Sequence, residues 1–447
     1  MRAEHFILWL SACALTLAVG CDDTGSPSLA GDEAPLGGGG AAAGAEAGLS
    51  AGQAGVEAGL EAGAGVEAGA EAGLWVEGGS PAGPELIEGP RGILHPESVE
   101  VIELNGVMIT NGKSEPLELE LPEDVVSLTM IALADESHMI TVEELIDPFG
   151  EPLVSAAPPG VTFTQFDQFL SPFPGPFRSP NRVAVASVGL GALLAPNNPS
   201  VSVRGGSWGY QLAAINATTG MPANLSADLI ILIRRGQQPE RGRLDLHLHF
   251  TGARGWTAEN APDDPDFQVA LERMRAFYQE VGIELGEVTY DDIPEEFKTA
   301  DAGQGPNSIL HQIYAQNQYS TGVALFFVER INSPFGAGSI GGIAGGTPGP
   351  SLLPGSPRSG VVVATEVDPD PRAIGHIMGH ETGHFLGLYH TTELAFQGVH
   401  DQMPDTPQGQ ASNTNLMYPT VTAADAQLSQ DQGWVMRRNA NVFSVEE

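Results

Sequence analysis

Three histidines and a glutamate near the carboxyl terminus have the spacing of a metal centre. The segment reads His380-Glu381-x-x-His384-x-x-Gly387-x-x-His390. On a helix, His380 and His384 would lie on one face, where two imidazoles can bind one Zn²⁺ at about 2.0–2.1 Å each. Gly387 permits the positive-φ turn that ends a helix, so that His390 can return as a third ligand. Three protein ligands leave the fourth zinc position open, as in catalytic rather than structural sites.

A methionine-containing turn follows the histidines and, with them, carries a family resemblance. Asn415-Leu416-Met417-Tyr418-Pro419 comes after His390 in the chain. The histidine pattern and this turn resemble the two signatures of metzincin metallopeptidases, and the residues around Met417 are similar to those of matrixins. The resemblance implies that Met417 forms the Met-turn, which packs beneath the zinc without binding it.

Other features resemble the pappalysin-like (cytophagalysin) branch of the metzincins. That branch has a strand, a glycine-rich edge strand and a strand with Gly-Val-Val before its active-site helix. The similar segments here are Leu325–Ile331, Gly341–Gly346 and Gly360–Val362. Asp405-Thr406-Pro407 also matches an Asp-Thr-Pro of that branch, whereas its common disulfides are absent. The resemblance covers the chain from about Arg243 onwards.

The resemblance implies a zinc-dependent endopeptidase. Zn²⁺ lowers the pKa of its bound water to about 7 and polarises the scissile carbonyl. Glu381 is then expected to activate this zinc-bound water by accepting its proton, which it passes to the leaving amine. A peptide substrate is expected to add as an antiparallel strand to a glycine-rich edge, formed by Ile340, Gly341, Gly342, Ile343 and Ala344.

An acidic loop after His390 is a candidate calcium site. Asp401 and Asp405 lie in this loop, and carboxylate oxygens are ligands that Ca²⁺ prefers. The pappalysin-like branch carries calcium as well. We therefore expect Zn²⁺ as the cofactor and consider Ca²⁺ as a second one.

The elements that must position these residues begin near Leu244. Asp264-Pro265 predicts a helix start with a capping aspartate, and Gly282 predicts its end. A second long helix is predicted from Pro371 to about Leu386. Strands and one short helix (Ile309–Tyr314) are predicted around them, the strands at Leu244–Phe250, Ile283–Val288, Val323–Ile331, Ser339–Ala344 and Val361–Thr365. This rhythm predicts a mixed α/β domain over residues 239–447, and the resemblance implies that it is a metzincin-like catalytic domain with a twisted mixed sheet.

Residues 95–238 show the rhythm of strands alone. Val99–Leu104 and Leu117–Leu121 alternate between apolar and polar residues. Further strands are predicted at 125–134, 161–166, 183–188, 201–203 and 229–233. Many short strands separated by turn residues predict an all-β, sandwich-like accessory domain, so the chain is expected to be multidomain. The sequence leaves open whether this part is a propeptide or a permanent domain.

The amino-terminal segment has the features of an export signal. Phe6–Val19 is an apolar run of signal-peptide length, and Leu17-Ala18-Val19-Gly20-Cys21 resembles the lipobox of bacterial lipoproteins. We predict a lipoprotein signal peptide over residues 1–20 and lipidation of Cys21, with an ordinary secretory signal as the alternative. Residues 21–94 repeat Glu-Ala-Gly and contain few apolar side chains, which predicts a disordered acidic linker.

The charge and cysteine content exclude several other classes. With 19 basic against 56 acidic residues and a net charge of -37, the chain lacks the basic surface of a nucleic-acid-binding protein. Both cysteines, Cys13 and Cys21, lie in the first 21 residues. A metal site elsewhere must therefore use His, Asp or Glu.

The predicted location is the cell envelope, with the chain lipid-anchored at the outer membrane or cell surface, or else secreted. The expected partners are a protein or peptide substrate and, through the lipid anchor, a membrane. Two other functions stay open from the sequence. One is a surface-anchored adhesion lipoprotein that retains the metzincin fold only for binding, and the other is a zinc amidase that acts on cell-wall peptides.

Overall fold

A computed structural model describes residues 85–155, 181, 183, 187–303, 308–333, 339–392, 400–420 and 425–445. These residues belong to one compact unit. The signal peptide, Cys21, most of the linker and the strand predicted at 161–166 lie outside the described residues. Within the described chain, none of the helices combines the length and apolar character needed to cross a membrane.

The first part of the described chain, up to Arg235, contains strands and a single 3₁₀ turn, Pro90–Gly92. Its strands are β1 Leu86–Glu88, β2 Leu94–Pro96, β3 Val99–Thr110, β4 Lys113–Ser114, β5 Leu117–Leu121, β6 Val125–Leu133, β7 His138–Ile146, β8 Pro152–Val154, β9 Ser187–Val188, β10 Leu190–Ala195, β11 Gly206–Asn216 and β12 Leu225–Arg235. We call this part the β region. The strand predicted at 201–203 does not form, because Val201 donates a hydrogen bond to the carbonyl of Asn198 in a turn.

One antiparallel sheet contains ten of these strands, in the order β10-β6-β12-β3-β4-β11-β7-β8, with β5 and β9 paired to β11 and β7. Strand β6 shows why the centre of this sheet is apolar on both faces. Leu128, Met130 and Ala132 point into the core of the β region, while Ile131 belongs to a second cluster with Leu352 and other residues. The sandwich-like domain at 95–238 stays a prediction, since these pairings trace one connected sheet and residues 156–180 are not described.

The second part, from Gly242, alternates strands with helices. The strands are β13 Gly242–Phe250, β14 Ile283–Asp292, β15 Thr299–Asp301, β16 Val323–Val328, β17 Arg330–Asn332, β18 Ser339–Ile340, β19 Gly342–Ala344, β20 Val361–Ala364 and β21 Val442–Ser444, and the α-helices are α1 Pro265–Gln279, α2 Ile309–Tyr314, α3 Pro371–Phe385 and α4 Gln430–Met436. Short 3₁₀ turns lie at Ala253–Gly255, Glu295–Lys298 and Gly409–Ser412. We call this part the α/β region. Its mixed α/β character confirms the prediction.

The main sheet of the α/β region has the order β14-β13-β16-β20-β19, with β21 paired to β13. The pairs among β14, β13, β16 and β20 are parallel, whereas β19 lies antiparallel to β20 at the end of the order. A small sheet, β15-β17-β18, lies apart from it. The main sheet is therefore mixed, and β19 forms its edge.

Helices α1 and α3 pack together against this sheet. Each begins at a capping aspartate followed by proline: Asp264 accepts from the Phe267 amide and Asp370 from the Arg372 amide. Such caps satisfy backbone donors that the first helical turn leaves unpaired. The hydroxyl of Tyr278 on α1 donates to the carbonyl of Gly379 on α3 at 3.0 Å. The two predicted long helices thus form, and α3 holds a fixed position against α1.

Candidate metal centre

The three histidines of the motif converge although they come from two elements. His380 and His384 lie on α3, and His390 follows the turn at Gly387, whose φ is 108°. The Nε2 atom of His390 lies 3.3 Å from Nε2 of His380 and 3.1 Å from Nε2 of His384. The helix, the turn and the return of the chain are arranged as the spacing predicted.

Backbone carbonyls orient two of these rings. Nδ1 of His380 donates to the carbonyl of Leu416, and Nδ1 of His384 donates to that of Leu388, each at 2.7 Å. With the proton on Nδ1, the Nε2 lone pair of each ring faces the centre. Metal-binding histidines commonly donate their other ring nitrogen in this way.

The arrangement fits a divalent cation. His380 and His384 both present Nε2 lone pairs to Nε2 of His390, which can donate a hydrogen bond to at most one of them. A cation between the three rings would remove the lone-pair conflict that remains. Burial, together with the neighbouring His384 and His390, holds the pKa of His380 well below its usual range, so this ring is neutral. One ligand atom from each histidine lies within 4.8 Å of the others. Three imidazoles suit Zn²⁺.

Glu381 is buried beside the histidines. Its Oε2 accepts a hydrogen bond from the Ala344 amide at 3.0 Å. Its Oε1 is buried and has no hydrogen-bond partner within the described residues. Burial raises the pKa of Glu381 to about 8 when no cation is near, and a bound cation would lower this pKa and favour the carboxylate. A buried carboxylate oxygen without a partner is costly, as expected where a water or substrate group belongs.

Met417 lies directly under α3, where the Met-turn was predicted. It is fully buried, and a Cβ placed on Gly383 would lie 2.7 Å from its sulfur. Its amide donates to the Asn415 side chain at 2.8 Å, and its carbonyl accepts from Thr391. The turn therefore links the floor of the centre to the segment just after His390.

The predicted substrate edge, Ile340–Ala344, is divided between two sheets. Ile340 ends β18, whereas β19 (Gly342–Ala344) forms the edge of the main sheet. The Ala364 amide donates to the Gly341 carbonyl, and the Gly345 amide donates to the Gly360 carbonyl. Backbone groups alternate in direction along an antiparallel strand. The backbone groups of Gly342 and Ala344 therefore point away from β20. The Ala344 amide points toward Glu381.

Asp401 and Asp405, the candidate calcium ligands, have separate partners. Asp401 accepts from the Thr406 hydroxyl, and Asp405 accepts from the Asp431 amide in the first turn of α4. In the described chain, the histidine triad is the one group of three or more side chains with metal-binding geometry. The calcium site stays a prediction from the family resemblance.

Several groups that orient the side chains of the centre cannot be recognised from the sequence. They are the carbonyls of Leu388 and Leu416 and the amide of Ala344. Each is a backbone group, and every residue except proline has the same donor and acceptor. Only their position in the folded chain distinguishes them.

One comparison with known proteins matches the segment that carries this geometry. Residues 363–434 match the family described as pregnancy-associated plasma protein-A. A comparison with curated protein sequences gave no match. Among solved structures, archaemetzincin from Methanopyrus kandleri is similar with 17% identity and a TM-score of 0.24, over 46% of this chain and 91% of that one. The family match spans α3, the three histidines, Glu381 and Met417, and so confirms the predicted resemblance of this segment to metzincin-type zinc metallopeptidases.

Proposed function

We propose that this protein is an extracytoplasmic zinc-dependent endopeptidase, in which His380, His384 and His390 hold the zinc and Glu381 transfers the proton. The observation that carries this proposal is the convergence of three imidazoles, two of them oriented by backbone carbonyls, beside a buried carboxylate oxygen without a described partner. The family match over the same residues supports it.

The roles of the residues follow from this geometry. Zinc, when bound, supplies a Lewis acid that polarises a peptide carbonyl and acidifies water. Glu381 is fixed through Oε2 by the Ala344 amide, so Oε1 is the atom that accepts a proton from water and returns it to the leaving amine. Met417 packs against Gly383 of α3 and so supports this helix from below.

The edge strand β19 is the proposed docking edge for the substrate, with Ile340 and Gly341 leading into it. The backbone groups of Gly342 and Ala344 point away from β20, and among them the Ala344 amide is already bonded to Glu381. An extended peptide that pairs there would place its backbone next to the histidines. Pairing through the backbone does not depend on the side chains of the substrate. This edge therefore favours an endopeptidase that accepts chains of varied sequence.

Export and anchoring complete the proposal. Lipidation of Cys21 would place the enzyme at the cell envelope, and residues 21–94 would act as a tether, with 95–238 as an accessory domain. Mass spectrometry of the mature amino terminus tests the anchor: a diacylglyceryl-cysteine is expected, and a free terminus at another residue would exclude it.

The decisive experiment replaces Glu381 by alanine. Glu381→Ala leaves all three histidines, so it should keep the zinc of the wild type and lose at least roughly 100-fold in turnover of casein or peptides, since general acid–base catalysis is worth about 10²–10⁴-fold. Glu143→Ala, which removes another buried glutamate, one that pairs with Lys113 in the β region, should keep the turnover.

Three outcomes would redirect the assignment. Peptide cleavage by zinc-loaded Glu381→Ala at near wild-type rate would overturn the role of Glu381. Zinc binding by the wild type without any cleavage would favour the adhesion alternative. Release of soluble fragments from peptidoglycan, with casein left intact, would favour the amidase.

A further inference from the structure

Two adjacent leucines of β10 pack into two different apolar cores. Leu193 belongs to the apolar core of the β region. Leu194 points to the opposite face and belongs to the core of the α/β region, whose other buried members in the described chain all come from residue 244 or later. Both leucines are 0% exposed. The β region thus inserts one side chain into the core that supports the metal centre.

Leu194 meets this core at the turn between the metal ligands. A Cβ placed on Gly387 would lie 2.8 Å from Cδ2 of Leu194. The Gly387 amide donates to the His384 carbonyl. The next residue, Leu388, supplies the carbonyl that orients the His384 ring. The side chain of Leu194 therefore packs on the turn that both orients His384 and leads to His390.

Leu194 is itself held in place. The side-chain amide of Asn181 donates to the Leu194 carbonyl at 3.0 Å, and the Asn181 side-chain oxygen accepts from the Asn197 amide at 2.8 Å. Asn181 is fully buried. The end of β10 is thus pinned by hydrogen bonds within the β region, which makes it a firm support for the turn.

The rest of the contact between the two regions has the character of a protein interior. One apolar cluster combines residues of both regions, namely Ile93, Val99, Ile131, Leu190, Ala192, Ile230, Leu232, Leu352 and Ala440. Buried polar groups also cross the contact. Ser127 donates to the Arg438 carbonyl at 2.7 Å, and Arg234 donates to the carbonyls of Arg437 and Asn439. Removal of the β region would expose this surface to water.

We propose that the β region is a permanent part of the peptidase and that Leu194 is a positioning residue for the metal-binding turn. This rests on the proposed function, in which His384 and His390 hold zinc. Loss of the Leu194 methyl groups leaves space into which the turn can relax, so that His384 and His390 lose their common alignment. Metal affinity is sensitive to such supporting contacts, which are typically worth about 10–100-fold.

The test compares Leu194→Ala with Leu193→Ala in the full-length chain. Both remove the same atoms from a fully buried site on the same strand, so both should lower the melting temperature by similar amounts. Zinc affinity, measured by competition with a chromogenic chelator well below the melting temperature, should fall about 10–100-fold in Leu194→Ala only. Leu194→Met, which keeps the volume, should restore it.

The outcomes separate the two proposals. Failure of the wild type to bind zinc would overturn the proposed function. Zinc binding by the wild type, with equal affinities for Leu194→Ala and Leu193→Ala, would overturn the role of Leu194 alone. Should either alanine variant fail to fold, the valine variants at the same two positions allow the same comparison. Recovery of an active mature enzyme that lacks residues 95–238 would also overturn the proposal.

Discussion

At the residue scale, the centre consists of groups that are costly to bury without a cation. Three imidazoles, with ligand atoms within 4.8 Å of one another, and the carboxylate of Glu381 on α3 are almost fully buried. His376, one turn before His380, shows the contrast. It is buried against Phe277, and burial lowers its pKa to about 4, but it lies outside the group of converging ligand atoms. Convergence, rather than burial, distinguishes a proposed ligand from a packing histidine.

His390→Ala tests this distinction. It removes one of three proposed ligands, so zinc affinity should fall by more than the roughly 10–100-fold typical of changes behind the ligands. His138→Ala removes a histidine paired with Asp135 in the β region and should keep the affinity of the wild type. Zinc titration of both purified variants measures these affinities. Unchanged binding by His390→Ala would contradict the proposed ligand set.

At the scale of elements, the position of α3 depends on its close approach to α1. Gly375 faces α1 so closely that a Cβ on it would lie 2.3 Å from the Ala270 carbonyl oxygen. Gly379 lies one turn further along, where its carbonyl accepts from the Tyr278 hydroxyl. Glycine is a poor helix former. Its presence at position 375 is explained by the lack of space for a side chain between the two helices. The contact places the ligand-bearing end of α3 over Met417.

Gly375→Ala should therefore destabilise the protein. The better helix propensity of alanine favours folding by about 1 kcal/mol, but the clash is with a backbone atom, so the helices must separate, and overpacking typically costs about 1–3 kcal/mol. We expect a net loss in the free energy of unfolding, measured by urea titration. Gly303→Ala is the control, because a Cβ there meets nothing within 4 Å. A stabilised Gly375→Ala variant would show that α3 can shift freely.

At the scale of the whole molecule, the centre draws on segments far apart in the chain. The β region supplies Leu194, the edge strand supplies the Ala344 amide, α3 supplies two histidines and Glu381, and the Met-turn supplies the Leu416 carbonyl. The connection between the two regions, around residues 235–241, is by contrast largely exposed. The two regions are thus held together mainly by their packed contact, and less by the covalent connection around residues 235–241.

Cleavage of this connection should leave the protein intact. Trypsin can reach the exposed Arg235 and Arg241, and the two fragments should still elute together in gel filtration with their zinc, because the apolar cluster and the hydrogen bonds of Ser127 and Arg234 cross the contact. Separation of the fragments without denaturant would contradict a permanent association and would favour a propeptide.

The sequence alone determined the local features of this protein. Ligand spacing on a helix follows from its period, and the starts of α1 and α3 follow from capping side chains next in the chain. The convergence of His380, His384 and His390 was predictable because the first two lie one helical turn apart and Gly387 permits the turn that returns His390. Strands β7 and β10 were not predicted, because they are buried on both faces over much of their length and so lack a regular alternation. Strand β11 was not predicted either, although Trp208, Tyr210 and Leu212 alternate with less buried residues.

Only the tertiary structure decided which distant groups meet at the centre. The Ala344 amide reaches Glu381, and the Leu416 carbonyl reaches His380, across 37 and 36 residues of chain. Leu194 reaches the turn at Gly387 from the other region. Backbone donors and acceptors are alike at nearly every position, and an apolar side chain does not encode its partner. These contacts depend on how the sheets and helices pack, which no local pattern in the sequence specifies.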